Sequence, residues 1–345
     1  MPRLVVASTR EGAGKTSVIV GMARALGKPI GYMKPFGDRI LYRKKRLWDY
    51  DSALVVGVLG IDESPEQMSI GFDHSKLRFM YDAETTGEKL TELVTQVEAG
   101  KEVVFIEGGK DLGFGGSVHL DAISVARKTG AELILVASGS EDEILDDLGF
   151  FKHHVDVAGV TVKGVVANRI KDLEDFEATH RRHLDGLGLP LLGILPYCAE
   201  LTYPSVGFLS GVLFAKVLAG EDGMNRTVRH ILVGAMDADA ARREPIFSEE
   251  QLLVITSGDR SDMILAALEA DTVGIVLSNN VMPPANIISQ VAERGVPLLL
   301  ASEHTYSVAK RIDDVERLLT KDETSKIDTL TDMAREHLDL GVLGG

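Results

Sequence analysis

"LVVASTREGAGKTS", residues 4–17, joins an apolar, β-branched run to a glycine-bearing turn that closes on Gly14-Lys15-Thr16. A buried strand, a tight turn and a helix opening at Lys15 form the setting of a phosphate loop. Backbone N–H groups and the positive end of the helix converge there on anionic oxygens. In that reading Thr9, Arg10, Glu11, Gly12, Ala13, Gly14, Lys15, Thr16 and Ser17 wrap a nucleotide. Gly12 and Gly14 leave room where a Cβ would intrude, Lys15 reaches the β- and γ-phosphates, and the Thr16 hydroxyl binds Mg²⁺. The competing reading is a tight turn with an incidental lysine. Thr9 stands where the pattern G-x-x-x-x-G-K-[ST] has its first glycine.

The same strand-then-helix rhythm continues. Apolar runs at 3–7, 30–33, 102–106, 132–137, 162–167 and 191–195 predict strands, and helical patterns follow at 15–26, 85–99, 119–129, 141–149 and 173–186. Continuous apolar strands between helices imply a parallel α/β sheet covered on both faces. Near residue 200 two prolines and several turn formers mark a boundary. Beyond it strands are expected at 229–234, 252–256, 273–277 and 297–301, with helices at 260–269, 284–294 and 305–313. The expected division is 1–203, a smaller α/β domain over 204–318, and a tail over 319–345 with one helix at 327–338.

Composition excludes several classes. With 45% hydrophobic and 26% charged residues the 345-residue chain is globular, not disordered. A net charge of -15 argues against general nucleic-acid binding. One cysteine, Cys198, excludes an intramolecular disulfide framework and a four-thiolate zinc site. The first residues are too short an apolar stretch for a signal peptide, and no run approaches bilayer-spanning length. A cytoplasmic protein without a membrane partner is expected.

Further candidates lie at predicted strand ends. Lys34 in "GYMKPFG" (31–37) follows the second strand, where a lysine stabilises a transferring phosphoryl group; alternatively it is a surface lysine before a proline. Arg39, Arg43, Lys44, Lys45 and Arg46 form either a solvated face or the seat of a polyanionic substrate or partner. Asp49 and Asp51 flank Tyr50, and in a strand would share a face; Asp49 is equally a helix cap. Glu107 ends the strand of "EVVFIEGGKDLGFGG" and points into the crevice where doubly wound sheets bind ligands. The glycine-rich loop 110–117 has the composition of a lid. In "SGDRSD" (257–262), Asp259 or Ser261 caps the next helix, or Arg260 with the helix N-terminus binds an anionic ligand or partner carboxylate. Ser278-Asn279-Asn280 is placed beside that crevice.

The loop "STREGAGKTS" resembles those of dethiobiotin synthetase and the cobyrinic acid a,c-diamide synthase group, which are less strict at their start. Arg10 lies where related ParA/MinD-type ATPases carry a signature lysine. "YMKPFG" resembles the lysine-proline segment of dethiobiotin synthetase, which implies a role for Lys34 beside the phosphates. The same resemblance implies Asp51 and Glu107, with Thr16, as the Mg²⁺ set and Asn168 as a contact to the base. The region 254–315 looks like a DRTGG domain, of whose name only Asp259 and Arg260 keep the letters. A dethiobiotin-synthetase-like phosphate-loop domain followed by DRTGG resembles the amino-terminal region of long phosphate acetyltransferases and the phosphotransacetylase-like proteins.

The catalytic domain of phosphate acetyltransferase lies outside these 345 residues, so acetyl transfer is not expected. Cys198 lacks the glycine-flanked turn of an amidotransferase nucleophile. The resemblance implies ATP or a related nucleotide with Mg²⁺, and catalysis by Lys15 and Lys34 on a carboxylate or carbamate. The alternative is a nucleotide-responsive sensor with little turnover. Partners are an unidentified small molecule or protein and a second copy in a homodimer or larger homo-oligomer.

Overall fold

A computed structural model describes residues 1–43 and 46–343, so Lys44 and Lys45 of the basic run and the final Gly344-Gly345 lie outside the described residues. In chain order the first unit contains β1 (Arg3–Ser8), α1 (Lys15–Leu26), β2 (Ile30–Met33), β3 (Ile40–Arg43), β4 (Arg46–Asp49), α2 (Tyr50–Leu59), α3 (His74–Met80) and α4 (Ala83–Val97). It continues through β5 (Val103–Glu107), α5 (Ala122–Thr129), β6 (Glu132–Ala137), α6 (Glu141–His154), β7 (Val162–Ile170), α7 (Leu173–Thr179), α8 (Arg181–Gly186) and β8 (Leu191–Pro196).

Six of these strands form one parallel sheet in the order β2-β5-β1-β6-β7-β8. The chain moves one way from β1 to β2 and the other way from β5 onward. Right-handed crossovers therefore place α1 on one face and α5 and α6 on the other. Where the direction reverses, at the carboxyl end of β1, loops part and leave a crevice. Leu4–Ala7, Val103–Ile106 and Leu133–Ala137 are fully buried, as continuous apolar strands covered on both sides must be.

The sequence reading recovered all six strands and five helical regions, with shifted ends. β7 runs on to Ile170, α5 starts only at Ala122 because Asp121 caps it, and the 173–186 region breaks at His180 into α7 and α8. The antiparallel β3–β4 hairpin, α2 and α3 were not anticipated. Asp49 and Asp51 consequently do not share a strand: Asp49 closes β4, whereas Asp51 lies in the first turn of α2.

The second unit spans Ala199–Glu323. It holds α9 (Val206–Val212), β9 (Lys216–Ala219), β10 (His230–Val233), α10 (Ala238–Ala241), β11 (Leu252–Ser257), α11 (Ser261–Glu269), β12 (Thr272–Ser278), α12 (Ala285–Glu293), β13 (Leu298–Leu300) and α13 (Thr305–Asp314). Its sheet has the order β10-β11-β12-β13-β9, with β9 antiparallel to β13. Alternate residues of β11 feed two cores: Leu252 and Val254 pack with Met263 and Ile264, whereas Leu253 and Ile255 pack with Val308 and Ile312.

The carboxyl-terminal segment forms α14 (Thr324–His337) and belongs to the first unit. It lies along α1 and reaches β8, where Gly193 and Leu338 form an isolated bridge. Close approach requires a small residue on α1: a Cβ at Gly21 would lie 2.6 Å from the backbone oxygen of Leu330. Alanine is preferred to glycine in a helix interior by about 1 kcal/mol, but overpacking against a backbone atom costs about 1–3 kcal/mol. Gly21→Ala is therefore expected to lower unfolding stability despite its better helix propensity. Urea denaturation would show this as a lower midpoint, and an unchanged or raised midpoint would contradict the close packing of α14.

Candidate nucleotide-binding site

The loop between β1 and α1 turns through Gly12 (φ 75°) and Gly14 (φ 89°), a left-handed backbone that costs glycine no Cβ clash. At Gly14 there is also no space, since a Cβ would meet Asn168 Nδ2 at 2.6 Å; at Gly12 it would meet nothing within 4 Å. Within the protein the steric demand thus falls on Gly14 alone, and Gly12 serves the turn. No side chain caps α1, which leaves its first N–H groups without side-chain acceptors. Lys15 is buried and donates to Ser8 Oγ (2.8 Å) and the Lys110 carbonyl (3.1 Å). Burial lowers its pKa, which the Glu107 carboxylate partly offsets.

The rest of the loop has mixed roles. Thr9 carries a buried hydroxyl with no hydrogen-bond partner. Arg10 forms ion pairs with Asp147 (2.6 Å) and Glu143 on α6 within its own chain. Glu11 pairs with Lys110 at 2.8 Å, Ala13 is buried and Ser17 half-buried. Beside Thr9 a groove of about 550 Å³ runs between α5 and α6, lined by Leu112, Ile123, Arg127 and Phe150 among others.

The strand ends bring a dense polar cluster to this loop. Thr16 Oγ1 donates to Glu107 Oε1 (2.9 Å), and Tyr32 donates to Glu107 Oε2 (2.9 Å). Lys34, 1% exposed, has Nζ 2.5 Å from Asp38 and Asp51, 3.6 Å from Asp49 and 3.8 Å from Glu107. It is no surface lysine. Arg39 adds a second cation on Asp51 at 3.2 Å. Asp49 caps α2 by accepting from Ser52 N (3.0 Å), and its other oxygen accepts from the backbone N–H of Asp38 and Arg39.

Burial dominates the electrostatics. It raises Glu107 to about 7 against the pull of Lys34, and it also pushes Asp49 above the usual carboxylate range. For Asp51 the burial penalty is outweighed by Lys34 and Arg39, which hold it below the usual carboxylate range. Lys34 loses to burial but gains more from four carboxylates, so it stays charged. Burial and the adjacent Glu107 raise Tyr32 well above an ordinary phenol.

Oxygen donors dominate the set, which suits a hard divalent cation. Asp38, Asp49 and Asp51 each offer an oxygen within 4.8 Å of the others, and the Thr16 hydroxyl meets Glu107 alongside. Asp38 and Tyr32 were missed in the sequence. Asp38 follows a turn, and a tyrosine in a short apolar strand reads as core; only the buried position of its hydroxyl marks it.

Asn168 meets the loop from its other side. Asn168, near the end of β7, donates from Nδ2 to the Ala13 carbonyl (2.8 Å), and Arg169 donates to the Gly12 carbonyl (2.9 Å). Within the 110–117 loop, Asp111 accepts from Gly113 N and Phe114 N, and Phe114 stacks on Phe36 at 5.0 Å. From the basic run, Arg39 pairs with Asp51 and Arg46 with Glu66.

In the second unit neither Asp259 nor Ser261 caps α11: the N-cap is Arg260, with no side-chain cap bond. Arg260 instead forks onto Asp262 (2.9 and 2.8 Å) and donates to the Met236 carbonyl (2.9 Å). Hydrogen bonding to Arg260 lowers Asp262 to about 2. Ser278 is buried on Thr305 (2.8 Å) and the Thr256 carbonyl. Arg260 and Ser278 thus each bond to neighbours within the second unit.

A six-stranded parallel sheet, a glycine turn into α1 and a buried lysine at that turn define a phosphate-loop α/β protein. The AAA-domain profile matches residues 2–205 and the DRTGG-domain profile residues 209–315, and the chain belongs to that AAA-domain family. The phosphate acetyltransferase of Pseudomonas putida is 28% identical over 98% of this chain and 51% of its own length. Cobyrinate a,c-diamide synthase of Thermoplasma volcanium is 23% identical over 93% of this chain and 70% of its own. The MinD cell division protein of Aquifex aeolicus is similar at TM-score 0.34 and 17% identity, covering 58% of this chain and 84% of that one. The chain spans about half the length of the phosphate acetyltransferases it matches. No helix among the described residues is long and apolar enough to cross a membrane.

Asp49 allows a direct check of the cluster's construction. Asp49→Ala removes a helix cap and orphans two further N–H groups, a loss of roughly 2–4 kcal/mol. Asp49→Asn keeps one accepting oxygen, so either the cap or the Asp38 and Arg39 contacts survive, and it is expected to lose less than Asp49→Ala. Urea denaturation of both variants tests this; equal losses would show that the backbone contacts are not what Asp49 supplies.

Proposed function

We propose that the chain binds ATP or a related nucleotide at Thr9–Ser17 with Mg²⁺ and phosphorylates a carboxylate or carbamate, as in dethiobiotin-synthetase-like ligases. One observation carries this reading. Lys15, Thr16, Lys34, Asp51 and Glu107, supplied by four separate elements, converge in one buried cluster beside the loop. Simple binding of a nucleotide does not need Lys34 or Glu107.

In the proposed reaction the substrate oxygen attacks the γ-phosphorus while the bond to the β,γ-bridging oxygen breaks, giving an acyl phosphate and ADP. Loop N–H groups and Lys15 hold the β- and γ-phosphates. Lys34 neutralises charge on the transferring group, acting more on the transition state than on the ground state. Thr16, Asp51 and Glu107 would hold Mg²⁺, which supplies charge neutralisation to the phosphates. The groove beside Thr9 is of a size for a small second substrate. Asn168 contacts the base in the related enzymes and is proposed here beside the nucleotide.

The DRTGG match over 209–315 favours a second reading, a nucleotide-responsive sensor with little turnover, in which Asp259 and Arg260 meet a ligand or partner. Under either reading we place the protein in the cytoplasm as a homodimer or larger homo-oligomer with a small-molecule or protein partner. Its net charge of -15 supports the absence of a nucleic-acid partner.

Lys15→Ala is expected to weaken ATP·Mg²⁺ binding roughly tenfold to a hundredfold, for a charge-assisted contact of about 1.5–3 kcal/mol. Lys34→Ala should lower kcat far more than nucleotide affinity, and Asp51→Asn and Glu107→Gln should weaken Mg²⁺ dependence. Calorimetry reads the first and phosphate release with candidate metabolites the second, with circular dichroism confirming folded variants. Equal ATP affinity for wild type and Lys15→Ala rejects the site. Nucleotide binding without turnover on any metabolite favours the sensor.

A further inference from the structure

We infer that Asn168 and Arg169 form a clasp that presets the phosphate cradle from outside, so that their contribution to binding passes through the loop backbone. The inference rests on the reading of Thr9–Ser17 as a phosphate site. Two consecutive residues near the end of β7 reach across β6 to two consecutive carbonyls of the loop. Arg169 donates to the Gly12 oxygen at 2.9 Å and Asn168 to the Ala13 oxygen at 2.8 Å.

A trans peptide points its C=O and the following N–H in opposite directions. Fixing the Gly12 carbonyl therefore fixes the Ala13 N–H, and fixing the Ala13 carbonyl fixes the Gly14 N–H. These N–H groups belong to the turn that leads into α1, where successive backbone donors make a concavity for an anion. With the clasp in place, less of the loop's freedom must be surrendered when phosphate arrives.

Three further observations fit this role. Gly14 has no Cβ, and the space it leaves is filled by Asn168 Nδ2. Asn168 is 7% exposed, and its amide donates to the loop. Arg169 holds φ 64°, a left-handed backbone that a long side chain rarely adopts, and from it the guanidinium reaches the Gly12 carbonyl. Both residues are positioning residues in this reading, and neither has to touch base or phosphate.

Ligand class separates the clasp from direct base reading. Wild type, Asn168→Ala, Arg169→Ala and Arg169→Lys are compared by calorimetry against ATP, GTP, inorganic tripolyphosphate and adenosine, all with Mg²⁺. Each alanine variant is expected to lose about tenfold in affinity for ATP, GTP and tripolyphosphate alike, while its affinity for adenosine stays within twofold of wild type. Arg169→Lys, which keeps one donor, should recover part of the loss, and thermal unfolding without ligand should stay near wild type. Loss confined to ATP or adenosine would make Asn168 a base reader and overturn the clasp. Unchanged tripolyphosphate affinity in both alanine variants would overturn it as well. If wild type itself binds neither ATP nor tripolyphosphate, the phosphate-site reading fails first.

Discussion

At the carboxyl ends of β2 and β5 one buried ammonium, Lys34, faces four carboxylates: Asp38, Asp49, Asp51 and Glu107. A buried charge survives only when it is paired and hydrogen-bonded, and here the acids outnumber the lysine. The fold relieves the excess in several ways. Glu107 is pushed toward neutrality, accepts from Thr16 and Tyr32, and leaves Lys34 to Asp51 and Asp38. Asp49 spends its oxygens on backbone N–H groups, and Arg39 covers Asp51 from the half-exposed side. A cluster so rich in acid gains from another cation, which connects its electrostatics to the proposed nucleotide chemistry.

Much local structure follows from this need. The β3–β4 hairpin and the start of α2 carry Asp49 and Asp51 to Lys34, which a direct β2-to-helix connection would not do. Glu107 couples the cluster to α1 through Thr16, so the phosphate loop and the acids share one hydrogen-bonded network. On the far side of the loop, Asn168 and Arg169 bind its carbonyls. The loop is thus held on two sides by side chains from different strands while its N–H groups remain available.

The parallel sheet was legible because strands buried on both faces leave long β-branched runs, as in Leu133–Val136. Lys15 stood out because it closes a known loop pattern, Lys34 and Glu107 because they close apolar runs, and Asp51 through the family resemblance; the fold brings these four side chains near one another. The hairpin was not, since its strands are four residues each and rich in charge, a pattern that reads as solvated surface. Tyr32 and Asp38 depended on tertiary placement, which spacing does not carry. At the DRTGG junction the sequence suggested a side-chain cap, but Arg260 sits at the cap position and folds back on Asp262. Arg10 shows the same dependence on tertiary placement: the sequence set it where related ATPases carry a signature lysine, and the fold pairs it with Asp147 and Glu143 of α6.

The backbone leaves the first unit after Cys198 and rejoins it at Thr324. The DRTGG unit is therefore an insertion, anchored covalently at both of its ends. For α14 this makes the inserted unit a linker whose state sets an effective concentration. Melting the insert would replace a folded connector by a flexible loop, and loop-closure entropy rises by only about 0.6 kcal/mol for each doubling of length. Docking of α14 on α1 should then survive many perturbations of the insert. A peptide-bond cut inside the insert is a different event, because it turns an intramolecular helix contact into the association of two separate chains.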